Sequence, residues 1–263
     1  MLLKEKIALV VGGGQTPGET IGNGRATAIQ FAREGATVLV GDVKVESAQE
    51  TVAMIEAEGG AAMAEYVDVT DEESVRAFVT GAIERWDRVD VLHNNVGMSI
   101  AGGDANIEDI ETDAFDRLVN VNLRGMVLTC KHVLPQMRKK ASGAIVNISS
   151  MAAWRPYPYV AYKTTKAGVI ALTEQLAQSN ARYGIRANVI LPGLMNTPMA
   201  VESRISDSMT REQVIAARDK RVPLGRKMGT AWDVAHAAAF LASDRAGFIT
   251  GVTLPVDGGA SVS

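Results

Sequence analysis

A single cysteine in 263 residues, Cys130, rules out an intrachain disulfide. It follows Met126-Val127-Leu128-Thr129, which reads as the packed face of a helix, so the thiol is expected to be core rather than nucleophile. Histidine is nearly as scarce. His93, His132 and His236 fall on separate elements without ligand spacing, and no metal site is expected. Runs of one charge are also missing: 27 basic and 30 acidic residues are scattered along the chain for a net charge of −3. That balance offers nothing to nucleic acid or a lipid surface and leaves a small molecule as the expected partner. Long apolar runs are absent too. Only five apolar residues, Ile7 to Val11, precede Gly12, too few for a signal-peptide core, and no later run approaches a membrane span, so a cytoplasmic protein is expected.

What the chain does have is a core-forming composition, 47% apolar, and a regular alternation of patterns. Short β-branched runs at Ile7 to Val11, Thr37 to Val40, Met63 to Val67 and Val89 to Leu92 alternate with longer segments of helical period. Two helices are expected within about Asp113 to Lys139. A strand follows at Ala144 to Ile148, then a long helix from about Tyr159 to Arg182 and a strand at Ile185 to Leu191. A helix from about Thr230 to Ala242 and a strand near Val252 to Val256 close the pattern. The repetition predicts one α/β domain over residues 1–263, a doubly wound Rossmann fold with about seven parallel strands and helices on both faces. In such a sheet ligands sit at the carboxyl ends of the strands, and each motif below falls there.

The first run ends in Gly12-Gly13-Gly14, and a helix starts near Gly24, an arrangement that brings backbone N–H groups and a helix N-terminus to a pyrophosphate. Gly18 to Gly24 fits a G-x-x-x-G-x-G pattern, but its first glycine lies too far beyond the strand. The functional glycines are therefore assigned to Gly12, Gly22 and Gly24, with Asn23 between them, and the loop is about six residues longer than the pattern needs. The plain alternative is a glycine-rich turn. Asp42, at the end of the second strand, would bind an adenosine ribose through both hydroxyls and repel a 2′-phosphate, which favours NAD over NADP, although Lys44 nearby softens that discrimination. Asp68-Val69 would similarly reach the adenine, unless Asp68 only starts the next helix as a turn residue.

Tyr162 and Lys166 stand four apart at the start of the long helix, on one face. A free phenol, with a pKa of about 10, is a poor base near neutrality, and a close ammonium favours its ionised form. Upstream, Asn147-Ile148-Ser149-Ser150 ends the fifth strand and supplies a hydroxyl to hold a substrate oxygen.

Taken together these motifs resemble those of the short-chain dehydrogenase/reductase family over almost the whole chain, most of all small bacterial members such as the β-ketoacyl-carrier-protein reductases. Asn94-Asn95-Val96-Gly97, Val121-Asn122-Leu123, the set Ser150, Tyr162 and Lys166, and Pro192-Gly193 followed by Thr197 carry the resemblance. It implies an NAD-dependent oxidoreductase interconverting a secondary alcohol and a ketone, and a homotetramer. Tyr162 would be the acid/base, Ser150 would hold the substrate oxygen, and Lys166 would grip the nicotinamide ribose. Asn122 would hold a water linking Lys166 to solvent. Asn95, Val96 and Gly97 would line the cofactor, and Thr197 with the Met195 backbone would meet the nicotinamide amide beside Pro192 and Gly193.

The chain departs from the family pattern in its long phosphate loop, in Val96 where alanine is usual, and in a segment before Tyr162 one residue shorter than common, which keeps Ser149 open beside Ser150. A dinucleotide sensor without turnover and an epimerase or dehydratase with bound NAD are the rival readings. The former needs no Tyr162 set, and the latter usually carries an extra substrate domain. Trp154, Tyr157 and Tyr159 with Met98, Leu194 and Met199 are expected to wall an apolar substrate pocket, with Arg155 a candidate for an anionic group. Residues 198–221 mix apolar and charged side chains after the nicotinamide motif and are expected to form a mobile substrate lid, the alternative being a rigid pair of surface helices.

Overall fold

The computed structural model describes residues 1–263, and in it alternation along each strand feeds two cores at once. Strand β1 (Ile7–Val11) sends Ile7, Leu9 and Val11 to one face and Ala8 and Val10 to the other, because successive side chains point to opposite sides of a strand. The same holds for β2 (Thr37–Asp42), whose neighbours Leu39 and Val40 lie in different cores. With β3 (Ala61–Tyr66), β4 (Val91–Asn94), β5 (Gly143–Ile148), β6 (Ile185–Pro192) and β7 (Thr253–Val256), they form a seven-stranded sheet in the order β3-β2-β1-β4-β5-β6-β7, parallel throughout.

One face is covered by α1 (Asn23–Arg33), α2 (Val45–Ala57) and α9 (Ala231–Ala242). The other carries α3 (Glu72–Trp86), α5 (Gly125–Lys140) and α6 (Val160–Asn180). Helix α4 (Thr112–Val119) runs into α5 through a π-helical turn, Asn120–Arg124, so the two helices expected here are joined by a widened turn rather than a loop. Strand β4 ends two residues later than its apolar run suggested: His93 and Asn94 are polar yet fully enclosed in the sheet. The strand order reverses between β1 and β4, which opens a crevice at their carboxyl ends where every predicted motif falls.

Residues 198–221 fold as α7 (Pro198–Val201), a 3₁₀ turn Glu202–Arg204, and α8 (Arg211–Asp219), the last started by a capping box from Thr210 and Gln213. They are attached through a small apolar cluster of Val201, Val214, Val222 and Met228, with Leu194 at its edge. No helix is long and apolar enough to cross a membrane.

Candidate active site

Gly12 leaves β1 with φ +82°, and a Cβ there would lie 2.8 Å from the Val96 side chain. Gly24, in the first turn of α1, approaches so closely that a Cβ would stand 1.9 Å from the Gly12 carbonyl oxygen. The Asn95 side chain locks this approach by donating to that same oxygen at 2.9 Å. Asn95 therefore shapes the phosphate loop, and Val96, in the usual place of alanine, fills the space over Gly12.

The long loop is closed by Gln15, one of the residues that lengthen it. Its Oε1 accepts the Gly22 N–H at 3.0 Å and its Nε2 donates to the Thr20 carbonyl at 3.4 Å. Helix α1 then begins at Gly22 without a capping side chain, which leaves its first N–H groups free for an anion. Two buried oxygens beside this turn, Thr20 Oγ1 and Asn23 Oδ1, also lack partners within the protein.

Asp42 sits at the end of β2, half-buried, with its carboxylate accepting the Gly14 and Lys44 backbone N–H groups at 3.0 Å each. Lys44 thus reaches Asp42 through its backbone. Arg25, on the first turn of α1, is held by Glu50, Ser47 and Thr51. Asp68 closes an Asx turn, its Oδ1 accepting from the Thr70 N–H and hydroxyl, while Asp71 caps α3. Val69 is buried against Gly125. The turn role left open for Asp68 is thus present in the fold.

At the ends of β4 and β5 the groups converge. Ser149 donates to the Lys166 backbone carbonyl at 2.6 Å and is buried, so its hydroxyl is committed to the scaffold. The Ser150 hydroxyl instead accepts the Ala152 N–H at 3.1 Å, is half-buried, and acts on the Tyr162 phenol to bring its pKa down. The two serines thus differ: Ser149 is bound into the scaffold, and Ser150 is the less buried of the pair. The Lys166 ammonium is buried, donates to the Ile148 carbonyl at 2.9 Å and lies 5.7 Å from the centre of the Tyr162 ring. Burial brings its pKa down to about 8. Burial also pushes the Tyr162 phenol up to about 12, with the Ser150 hydrogen bond acting in the opposite direction. The expected lowering of the phenol by Lys166 is therefore not seen: desolvation dominates, and Lys166, whose ammonium is turned to the Ile148 carbonyl, is not among the groups that bring the phenol down.

Asn122 is fully buried on the π turn, and its amide grips Met98, accepting from the Met98 N–H at 2.8 Å and donating to the Met98 carbonyl at 2.9 Å. The Asn122 side chain thus fixes the loop after β4. Gly97 lies beside both groups, a Cβ there standing 3.1 Å from Lys166 Nζ and 3.6 Å from Asn122 Oδ1. Pro192 ends β6, and the Gly193 N–H donates to the Val256 carbonyl at 2.9 Å. Met195 bridges to Gly229, and Thr197 stands buried at the start of α7.

Asp104 was not singled out from the sequence, which shows only an acid after two glycines. It is buried, and its carboxylate accepts the Ala161 N–H at 3.0 Å and the N–H of Tyr162 itself at 2.9 Å, capping α6 from 58 residues upstream. Ser99 donates to it at 3.2 Å and meets the Tyr157 hydroxyl at 3.1 Å, while the Tyr157 ring lies 5.5 Å from that of Tyr162.

The expected aromatic wall is only partly assembled. Tyr157 and Tyr159 stack edge-on at 5.5 Å, but Trp154 is exposed and Leu194 belongs to the cluster that anchors residues 198–221. Arg155 does not face the site, because its guanidinium holds the Ala260 and Ser263 carbonyls. Cys130 is buried, with its thiol pushed up to about 12 by desolvation. His93 is likewise enclosed and brought down to about 3 by burial, so it is neutral, edge-on to Phe31. No three His, Cys, Asp or Glu side chains converge as a metal site.

Comparison with known proteins assigns the chain to a family. The profile of a family described as Enoyl-(Acyl carrier protein) reductase matches residues 19–261. The chain belongs to the short-chain dehydrogenase/reductase family. It is 36% identical over 261 residues to the 2,5-dichloro-2,5-cyclohexadiene-1,4-diol dehydrogenase LinX of Sphingobium indicum, covering 99% of this chain and 98% of that one. It is 39% identical over 263 residues to 3beta-hydroxysteroid dehydrogenase 1 of Eggerthella lenta, covering 99% and 95% respectively. A crystal structure described as a short-chain dehydrogenase/reductase from Burkholderia xenovorans superposes with a TM-score of 0.91 at 38% identity, covering 99% of this chain and 98% of that one. The protein is thus a short-chain oxidoreductase acting on CH–OH groups, in a family that uses a nicotinamide dinucleotide.

Proposed function

We propose that this short-chain dehydrogenase/reductase interconverts a small secondary alcohol and its ketone with NAD rather than NADP, using Tyr162 as the acid/base. The observation that carries the reading is the junction of Ser150, Tyr162 and Lys166 at the strand ends next to a glycine cradle that only a backbone without Cβ can form. The cradle fits a dinucleotide: uncapped N–H groups of α1 suit a pyrophosphate, and the Asp42 carboxylate suits a ribose diol while opposing a phosphate. Gly12, Gly22, Asn23 and Gly24 would hold the pyrophosphate side, with Asp68 and Val69 toward the adenine. Asn95, Val96, Gly97, Pro192, Gly193, Met195 and Thr197 would line the nicotinamide side. When bound, the cofactor supplies the two-electron acceptor or donor.

The protein's own part is position and proton transfer. Ser150 holds the substrate oxygen against the Tyr162 hydroxyl, and Tyr162 takes the alcohol proton in oxidation or returns it in reduction. Lys166 sits where it can hold the nicotinamide ribose, and a ligand that turned its ammonium from the Ile148 carbonyl toward Tyr162 would favour phenolate. Asn122 fixes the Met98 backbone and with it the substrate side of the crevice. Residues 198–221 close over the substrate as a lid, and the protein works as a cytoplasmic homotetramer. Initial rates with NAD⁺ and NADP⁺ over a panel of secondary alcohols, for wild type and Tyr162→Phe, test the reading. Wild-type turnover that survives in the variant contradicts it.

A further inference from the structure

Tyr162 stands on the least secured part of its helix. It is the third residue of α6, and Tyr159, at the N-cap position, offers no side-chain bond to the free N–H groups of the first turn. Helix ends of this kind fray, whereas a reacting group has to be held to within about 0.5 Å. The missing cap comes from the loop after β4. Asp104 accepts the Ala161 N–H through Oδ1 at 3.0 Å and the Tyr162 N–H through Oδ2 at 2.9 Å, and the Val160 N–H donates to the Ala105 carbonyl at 2.9 Å.

The same loop also reaches the Tyr162 ring. Asp104 Oδ2, the oxygen that accepts the Tyr162 N–H, accepts the Ser99 hydroxyl at 3.2 Å, and Ser99 Oγ lies 3.1 Å from the Tyr157 hydroxyl. Serine has one hydroxyl proton and a carboxylate has none to give. Ser99 gives its proton to the bond with Asp104, so Tyr157 is the donor to Ser99. The Tyr157 ring, fixed in this way, lies 5.5 Å from the Tyr162 ring at an interplanar angle of 42°. One carboxylate oxygen therefore stands behind both the backbone and the ring of Tyr162. Ser99 and Asp104 are buried, and the loop that carries them is itself held: Asn122 grips Met98, and Arg117 on α4 donates to the Gly102 carbonyl at 2.9 Å. Another link between distant segments, Arg211 to Glu19 at 3.1 Å and to Glu202 at 3.3 Å, lies among partly exposed side chains.

We propose that Asp104, Ser99 and Tyr157 are positioning residues that hold the Tyr162 hydroxyl against the reacting oxygen, Asp104 from the backbone side and Tyr157, through Ser99, from the ring side. The proposal rests on the reading of Tyr162 as the acid/base. It gives Tyr157, expected to wall the substrate pocket, a task that does not depend on which substrate is bound, and it accounts for a buried serine and a buried carboxylate side by side in the loop after β4.

The test measures kcat and KM for a panel of secondary alcohols in wild type, Ser99→Ala, Tyr157→Phe, the double variant and Tyr162→Phe. Tyr157→Phe keeps the ring and leaves only an acceptor unmet, so its melting temperature should stay within about 3 °C of wild type. Each single variant should lower kcat by about three- to thirty-fold, less than the roughly hundred-fold that a displacement of about 1 Å can cost. The factor should be the same for every alcohol, with KM and the dinucleotide Kd within about two-fold of wild type. The double variant should fall no further than the single ones, because both substitutions break one hydrogen bond. A second readout needs no turnover. The chain has five tyrosines, and with tyrosine carbon-13-labelled at the ζ position the Tyr162 resonance is identified by its loss in Tyr162→Phe. It should move in Ser99→Ala, although Ser99 reaches the Tyr162 ring only through Tyr157. A loss confined to KM, or one that differs by more than about three-fold between alcohols, overturns the proposal by making Tyr157 a substrate contact. Wild-type kcat in both single variants with Tyr162→Phe inactive overturns it and leaves the acid/base reading standing. Wild-type turnover in Tyr162→Phe faults that reading and overturns the proposal with it. Where no alcohol of the panel is turned over, the resonance decides: a shift in Ser99→Ala supports the proposal, and an unmoved resonance overturns it.

Discussion

Lys166 and Arg204 are both long cations, yet they are held in opposite ways. Lys166 projects from a 21-residue helix, is buried, and is fixed by a strand carbonyl. Arg204 ends a single 3₁₀ turn and is fixed only by the turn before it. The same contrast divides the whole site. Its floor consists of strand ends and α6, where each group is bonded to a different element: Asn95 to the β1 loop, Asn122 to Met98, and Asp104 to α6. Residues 198–221, the roof in the function proposed above, are held by a cluster of four apolar side chains and by Arg211. A floor so tied is preorganised for chemistry, while a roof so lightly attached is suited to admit and select substrate.

The largest effect is expected where the floor meets the chemistry. Tyr162→Phe removes the proton carrier and leaves the glycine cradle intact. kcat should fall by about 10²–10⁴, with the dinucleotide Kd, read by fluorescence titration, within about three-fold of wild type. Comparable loss of both would show the phenol to be part of the scaffold. Next comes the carboxylate of β2. Wild type should prefer NAD⁺ over NADP⁺ in kcat/KM, and Asp42→Ala combined with Val43→Arg should reduce that preference at least ten-fold. A wild-type preference for NADP⁺ would overturn the role given to Asp42.

This division also decided what was legible in the sequence. Strand order and the motifs at strand ends follow from local pattern, since a strand end, a Gly–Gly approach or a four-residue helical spacing uses residues close in the chain. The π turn that carries Asn122 leaves no mark in periodicity, because it interrupts the helix by one widened turn. Asp104 was invisible for a different reason: its partners are 57 and 58 residues away, and an acid after Gly102-Gly103 reads as an ordinary turn. Arg155 was misjudged because the C-terminal carbonyls that occupy it meet it only in the fold. The bond that commits Ser149 to the scaffold is likewise tertiary, reaching the Lys166 carbonyl 17 residues on.

Asp104 sharpens the comparison by joining the floor to the loop after β4. Burial raises the Tyr162 phenol most, and the Asp104 charge adds to it in the same direction. Asp104→Asn keeps an acceptor but removes the charge, which favours phenolate. The rise of alcohol oxidation with pH should therefore move to lower pH, by about half a unit to one unit. Asp104→Ala leaves two helix N–H groups without their cap and should cost about 2–4 kcal/mol of stability, read as a lower melting temperature. An unchanged pH profile in Asp104→Asn would reduce the residue to a structural cap. A smaller effect is expected at the roof. Arg211→Met breaks a partly exposed pair and should change stability by less than about 1 kcal/mol while raising the KM for substrate a few-fold. A large loss of stability would show that the roof is no less firmly built than the floor.

Hydrogen exchange tests that division most directly. Measured with and without dinucleotide plus substrate, amides of residues 198–221 should exchange readily in the free protein and gain protection in the complex, while the first turns of α6 around Tyr162 should be protected in both. Equal and already strong protection of residues 198–221 in both states would contradict the account, because the roof would then be as preorganised as the floor.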